Sequence, residues 1–158
     1  MSKSIKLLFM DVDGTMTDGK IYMGPDGEVM KAFDIKDGYG IHEILPQYGI
    51  VPVIITGRTS KIVENRAAEL GIKELYQGKH DKVDTLLAVL KKYDCPPQQA
   101  AYIGDDVLDL PCMELCGVKG CPADAVAGVK AICDYVCQTP AGQGAVREFI
   151  EWLVEKAR

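Results

Sequence analysis

Four polar clusters, three of them directly after a short apolar run, hold residue types suited to chemistry on an anionic substrate. Asp11-Val12-Asp13-Gly14-Thr15 follows Ile5–Met10, and Thr56-Gly57-Arg58 follows Val51–Ile55. Gln77-Gly78-Lys79-His80-Asp81-Lys82 forms the third cluster. Gly104-Asp105-Asp106, with Asp109 one turn further on, follows Ala100–Ile103. Three or four carboxylates in one cleft repel each other unless a hard cation neutralises them, and Mg²⁺ takes oxygen ligands. A hydroxyl and an ammonium opposite them make an anion site for a phosphoryl group. An aspartate can attack that phosphorus to form an acyl-phosphate. A second carboxylate two residues on can protonate the leaving oxygen and later deprotonate the attacking water.

These residues act together only if the chain brings the clusters to one edge. Ile41, Ile44, Leu45 and Tyr48 fall at helical spacing, as do Val83, Leu86, Leu87 and Leu90. Val146, Phe149, Ile150, Leu153 and Val154 repeat the pattern. A further helix is expected over about Thr59 to Leu70, stopped by Gly71. Between the helices lie Ile5–Met10, Val51–Ile55, Ala100–Ile103 and the stretch around Val118, apolar on both faces. Such runs are strands of a helix-covered parallel sheet, and the alternation predicts a doubly wound α/β fold. Ligands of that architecture bind beyond the carboxyl ends of the strands, where the four clusters sit. Lys20–Met23 and Glu28–Phe33 flank Gly24-Pro25-Asp26-Gly27 and predict a projecting β-hairpin, an insert at about 20–34 in a single domain spanning 1–158.

Composition narrows the function. The 158 residues carry 18 basic and 23 acidic side chains, a net charge of −5, with no cationic cluster to meet nucleic acid or a membrane surface. No apolar run approaches a membrane span, and the first residues carry no secretory h-region, so a cytoplasmic address is expected. The six cysteines, Cys95, Cys112, Cys116, Cys121, Cys133 and Cys137, lack the paired C-x2-C knuckles of zinc sites and are expected to be small buried hydrophobes. The only serines, Ser2, Ser4 and Ser60, form no nucleophile elbow, and there is no Walker loop or complete dinucleotide fingerprint. Arg58 suits bidentate pairing with a substrate carboxylate or phosphate, and Lys79, Arg66 and Arg147 are further candidates. For Arg66 and Arg147 a structural ion pair competes with that role. Asp106 is also readable as a helix N-terminal residue.

The four clusters, in this order, resemble the four-motif signature of the haloacid dehalogenase (HAD) superfamily phosphatases across essentially the whole chain. The resemblance implies nucleophile Asp11, acid/base Asp13, and phosphoryl contacts from Thr56 and Lys82. It further implies Mg²⁺ bound by Asp11, the Asp13 carbonyl and Asp105, with Asp106 and Asp109 supporting the metal site from behind. The 45 positions from Asp11 to Thr56 and the 23 from Lys82 to Asp105 leave no room for an inserted cap domain.

More locally, Lys31-Ala32-Phe33, Asp37-Gly38-Tyr39-Gly40-Ile41 and Gly144-Ala145-Val146-Arg147-Glu148 resemble the capless HAD phosphatases that act on sugar-acid phosphates. That likeness implies a homotetramer whose active sites are completed by a neighbouring subunit, with the glycine-rich segment near residue 142 reaching toward that subunit. Gln143 stands where those enzymes usually carry a basic residue. Gly57, beside Thr56, is expected to line the substrate site. An eight-carbon substrate is favoured by Arg58; a nine-carbon sugar acid and a non-catalytic HAD-like assembly module are the alternatives.

Overall fold

The computed structural model describes residues 4–156. Strand β1 (Leu7–Met10) leads through the first polar cluster into an antiparallel hairpin, β2 (Tyr22–Gly24) and β3 (Gly27–Met30). Helix α1 (Ile35–Tyr39) continues through a π-helical turn, Gly40–Ile44, into α2 (Leu45–Gln47). Next come β4 (Val51–Ile55), α3 (Lys61–Glu69), β5 (Glu74–Tyr76), α4 (Lys82–Lys92) and β6 (Ala100–Ile103). The chain ends with α5 (Leu110–Leu115), β7 (Val118–Cys121), α6 (Ala127–Lys130), β8 (Tyr135–Val136) and α7 (Ala145–Lys156).

Six strands form one parallel sheet in the order β5-β4-β1-β6-β7-β8. Alternate residues of a strand point to opposite faces, so β1 feeds two cores. Leu8 and Met10 pack with residues of the α1–α2 segment, α3 and α7, while Leu7 and Phe9 pack with residues of α4, α5 and α6. All four β1 side chains are fully buried, as a central strand covered by helices on both faces requires. The expected doubly wound α/β architecture is present, and among the described residues no cap domain covers the carboxyl edge.

Two differences from expectation are local. The apolar period around Ile41 does mark a buried helical face, but Gly40–Ile44 is wound as a π-turn. Gly40 lies against Ile150 and Arg147 of α7, and the wider turn is where the two helices meet. The edge strand β8, two residues long, and the four-residue α6 are too short to leave a periodic signal.

Five of the six cysteines are buried and Cys133 is partly so; all six are free thiols. Cys95, Cys112, Cys116 and Cys121 pack in one core, and Cys137 lies in the other.

Candidate active site

Because β4, β1 and β6 are adjacent and parallel, their carboxyl ends deliver Thr56, Asp11 and Asp105 to one edge. Asp11 N–H still donates to the Ile103 carbonyl (3.3 Å), which carries the β1–β6 register into the loops. Gly14 has φ +84°, and a Cβ there would collide with the Asp105 carboxylate, so only glycine lets the first loop approach the fourth. Thr15 Oγ1 closes the contact by donating to Asp105 Oδ1 at 3.0 Å. Gly104 is constrained in the same way: a Cβ there would strike the Asp109 carboxyl group.

Lys82, the first residue of α4, reaches the floor of the site. Its Nζ donates to Asp109 Oδ1 at 2.9 Å and lies 3.3 Å from Asp11 Oδ1. Its side chain is 6% exposed, too buried for a solvated surface lysine. Burial disfavours the ammonium, but Asp11 and Asp109 outweigh that and hold its pKa above the usual lysine value. Asp109 is fully buried and saturated. Besides Lys82 it accepts from Tyr102 Oη (2.8 Å) and from the amides of Asp105 (3.1 Å) and Asp106 (3.4 Å).

Asp11, Asp105 and Asp109 each offer an oxygen, all within 4.8 Å of one another. Burial raises the Asp11 pKa well above the ordinary carboxylate value; Asp109 adds to that and Lys82 opposes it. Burial, with Asp109 again second, pushes Asp105 up to about 6. These carboxyl groups are short of positive charge, and an all-oxygen donor set of this kind fits Mg²⁺. With both Asp109 oxygens engaged by donors, Asp11 and Asp105 are the carboxylates left to face a cation.

The cleft above this floor has a volume of about 260 Å³. It is lined by the carboxylates of Asp11, Asp13, Asp105 and Asp106, by the cationic Arg58, Lys79 and Lys82, and by Thr56, Gly57, His80 and Leu108. Thr56 is held by its own amide to the Tyr76 carbonyl (2.9 Å) and by Lys79 N–H to its carbonyl (3.1 Å). Arg58 and Lys79 are exposed and, among the described residues, form no side-chain ion pair.

Other expected site residues lie elsewhere. Arg66, on α3, pairs with Glu69 at 3.1 Å and stacks over Phe33, 5.5 Å from the ring centroid. Arg147 pairs with Glu151 at 2.6 Å and covers the Tyr39 ring at 4.8 Å. Neither lines the cleft, because both helices pack on the sheet face carrying α1; the structural ion pair is the arrangement present. Asp106 borders the cleft, but it is exposed and its Oδ1 accepts from Val107 N–H at 2.7 Å as a helix cap. The segment 141–144 packs at Gly142 against the chain's own Thr17–Asp18 turn. Within the chain it braces the first loop.

One neighbour of the site carries little sequence signal. Lys31, directly after β3, donates to Asp13 Oδ1 (2.6 Å) and to Glu28 Oε2 (2.8 Å), with its side chain 1% exposed. Burial disfavours its charge, yet the two hydrogen bonds raise its pKa above the usual value. In the sequence Lys31 stands out only as part of the Lys31-Ala32-Phe33 resemblance, which gives it no role, and its contact with Asp13 depends on how the hairpin folds back.

The sequence model of the haloacid dehalogenase-like hydrolase family matches residues 55–150, more than half of the chain. The chain belongs to the haloacid dehalogenase-like hydrolases. This hydrolase is 45% identical over 153 residues to the 3-deoxy-D-manno-octulosonate 8-phosphate phosphatase KdsC of Escherichia coli K12, covering 97% of this chain and 81% of that protein. Its fold is similar to that of the 3-deoxy-D-manno-octulosonate 8-phosphate phosphatase of Moraxella catarrhalis, solved with magnesium, phosphate and KDO. There the TM-score is 0.92 and the identity 40%, over 98% of this chain and 88% of that one. The cobalt-bound deoxy-D-mannose-octulosonate 8-phosphate phosphatase (YrbI) of Haemophilus influenzae gives TM-score 0.93 and 38% identity over 98% and 90% of the two chains.

Proposed function

We propose that the chain is a Mg²⁺-dependent phosphomonoesterase that hydrolyses 3-deoxy-D-manno-octulosonate 8-phosphate to the free sugar acid and phosphate. The observation that carries this reading is the convergence of Asp11, Asp13, Thr56, Lys82 and Asp105 on one open cleft that Arg58 and Lys79 also line. The named relatives supply the substrate.

Asp11, Asp105 and the Asp13 carbonyl would hold Mg²⁺, which when bound neutralises the carboxylates and the charge of the phosphoryl group. Asp11 attacks phosphorus with a carboxylate oxygen and becomes an acyl-phosphate as the bond to the sugar oxygen breaks. Asp13 gives its proton to that leaving oxygen. It then takes a proton from the water that attacks the acyl-phosphate, which returns Asp11 as a carboxylate and releases phosphate. Thr56 and Lys82 bind phosphoryl oxygens, and Asp109 keeps Lys82 and the 105–106 backbone in place. Arg58 and Lys79, whose side chains form no ion pair among the described residues, receive the sugar carboxylate.

The protein is read as a single domain acting in the cytoplasm on a precursor of lipopolysaccharide. No described helix is long and apolar enough to cross a membrane. Its assembly is read as a homotetramer in which a neighbouring subunit closes each uncapped cleft. Ile21, Met23, Val29 and Met30 expose 42–63% of their surface on the hairpin, an apolar patch suited to burial between subunits.

The test is phosphate release from eight- and nine-carbon sugar-acid phosphates, with Mg²⁺ and with EDTA. Release from the eight-carbon ester at the highest kcat/KM, abolished by EDTA, is expected. Preference for a nine-carbon ester would correct the substrate, and no release from any ester would favour a non-catalytic module.

A further inference from the structure

Asp13 has two chemical duties in the proposed reaction, and its carboxylate ends each proton donation more negative than it began. A group that gains charge in the transition state is best served by a fixed counter-charge nearby. The structure contains one. Lys31 Nζ lies 2.6 Å from Asp13 Oδ1, and its other carboxylate neighbour, Glu28 Oε2, lies at 2.8 Å. Asp13 borders the cleft and Lys31 does not, and the ammonium engages the Asp13 carboxylate through Oδ1. The Lys31 side chain is 1% exposed and those of Asp13 and Glu28 are 22% and 12% exposed, so water screens these contacts weakly. A lysine stem has four rotatable bonds. Fixing it at a buried position costs side-chain entropy that an ordinary surface pair does not recover.

The hairpin gives the arrangement its mechanical sense. β2 and β3 form their own two-stranded sheet beyond the Asp13 loop, and the chain returns to that loop at Lys31, directly after β3, with Glu28 three residues earlier on β3. Thr17 Oγ1 ties the outgoing limb by accepting from the amides of Gly14 and Gly19.

We propose that Lys31, oriented by Glu28, is a positioning residue that fixes the Asp13 carboxylate at the cleft and balances the charge it gains as its proton passes to the leaving oxygen. The inference rests on Asp13 being the acid/base of a phosphatase. It assigns the hairpin a part in the chemical step, beyond any part in assembly.

The test compares wild type, Lys31→Met, Lys31→Arg and Glu28→Gln in single turnover with Mg²⁺. The substrates are the sugar 8-phosphate, whose alkoxide leaves poorly, and p-nitrophenyl phosphate, whose phenolate leaves without protonation. Lys31→Met is expected to slow the sugar ester by about 10- to 100-fold and the nitrophenyl ester by less than about 3-fold. Lys31→Arg should recover most of the loss, and Glu28→Gln should show a smaller loss with the same leaving-group bias. Equal losses on both esters, or no loss on the sugar ester, would overturn the inference while leaving the phosphatase reading intact. A wild-type chain inactive on both esters would overturn that reading, and the inference with it.

Discussion

Asp109→Asn and Asp105→Asn are equally conservative changes four residues apart, and the structure predicts opposite effects on stability. Asp109 is fully buried and accepts four hydrogen bonds, two on each oxygen. An asparagine must turn a donor toward one of those pairs. It then faces either Lys82 and Tyr102 or the two backbone amides. Each stranded buried donor costs about 1–3 kcal/mol. Loss of the charge also leaves Lys82 with Asp11 as its one remaining ion-pair partner, at 3.3 Å. Together these amount to about 3–5 kcal/mol, the range for breaking a buried ion pair. For a chain of this size that lowers Tm by roughly 10 °C.

Asp105 is held only partly neutralised. Its pKa is pushed up to about 6, so removing its charge relieves repulsion, and an asparagine oxygen can still accept from Thr15. In EDTA, Asp105→Asn should therefore melt at or above the wild-type temperature. Mg²⁺ at about 100 times its Kd should then stabilise wild type by about 2.7 kcal/mol and Asp105→Asn by much less. Scanning calorimetry with and without Mg²⁺ reads both effects. If Asp109→Asn melted with wild type in EDTA yet lost the Mg²⁺ response, Asp109 would be a metal ligand and the brace assigned to it would be wrong.

Three shorter predictions concern other parts of the molecule. Asp11→Asn should lower turnover by at least about 10⁴-fold while the metal-free fold is retained or stabilised, because it removes both the attacking oxygen and a buried charge; turnover within about tenfold of wild type contradicts the assignment. Asp37 is buried, with Oδ1 accepting from Arg147 N–H (2.9 Å) and Oδ2 unpartnered, and burial above all raises its pKa to about 7. Between about pH 4 and 7 the folded chain keeps a proton that the unfolded chain releases, so Asp37 makes stability fall as pH rises, by about 4 kcal/mol at most. Asp37→Asn should remove that increment, and wild-type and variant melting curves with the same pH slope would refute it. Val29→Glu with Met30→Glu on the exposed hairpin should shift the assembly toward monomer in light scattering; an unchanged mass would place the subunit contact elsewhere.

The site was legible where chemistry and topology coincide. Asp11 and Thr56 directly follow β1 and β4, Asp105 follows β6 after one intervening residue, Gly104, and adjacent parallel strands deliver such residues together whatever the details of packing. Lys82 was legible as the start of a strongly periodic helix. Arg66 and Arg147 were not placed by the same reasoning, because charge and proximity in sequence do not say which sheet face a helix covers. Both found carboxylate and aromatic partners on the α1 side. Lys31 could not be assigned from spacing, since its contact with Asp13 spans 18 residues and depends on how a hairpin folds back. The π-turn at Gly40–Ile44 is likewise a product of packing against α7, since its apolar pattern also fits an ordinary helix.

The proposed hydrolysis passes through a covalent bond between phosphorus and Asp11. Quenching the Mg²⁺-loaded protein during turnover and reducing it with borohydride converts an aspartyl-phosphate to homoserine, which peptide mass spectrometry locates. Homoserine at position 11, dependent on substrate and Mg²⁺, is the predicted result; an unmodified Asp11 during active turnover, or homoserine at another aspartate, would contradict it.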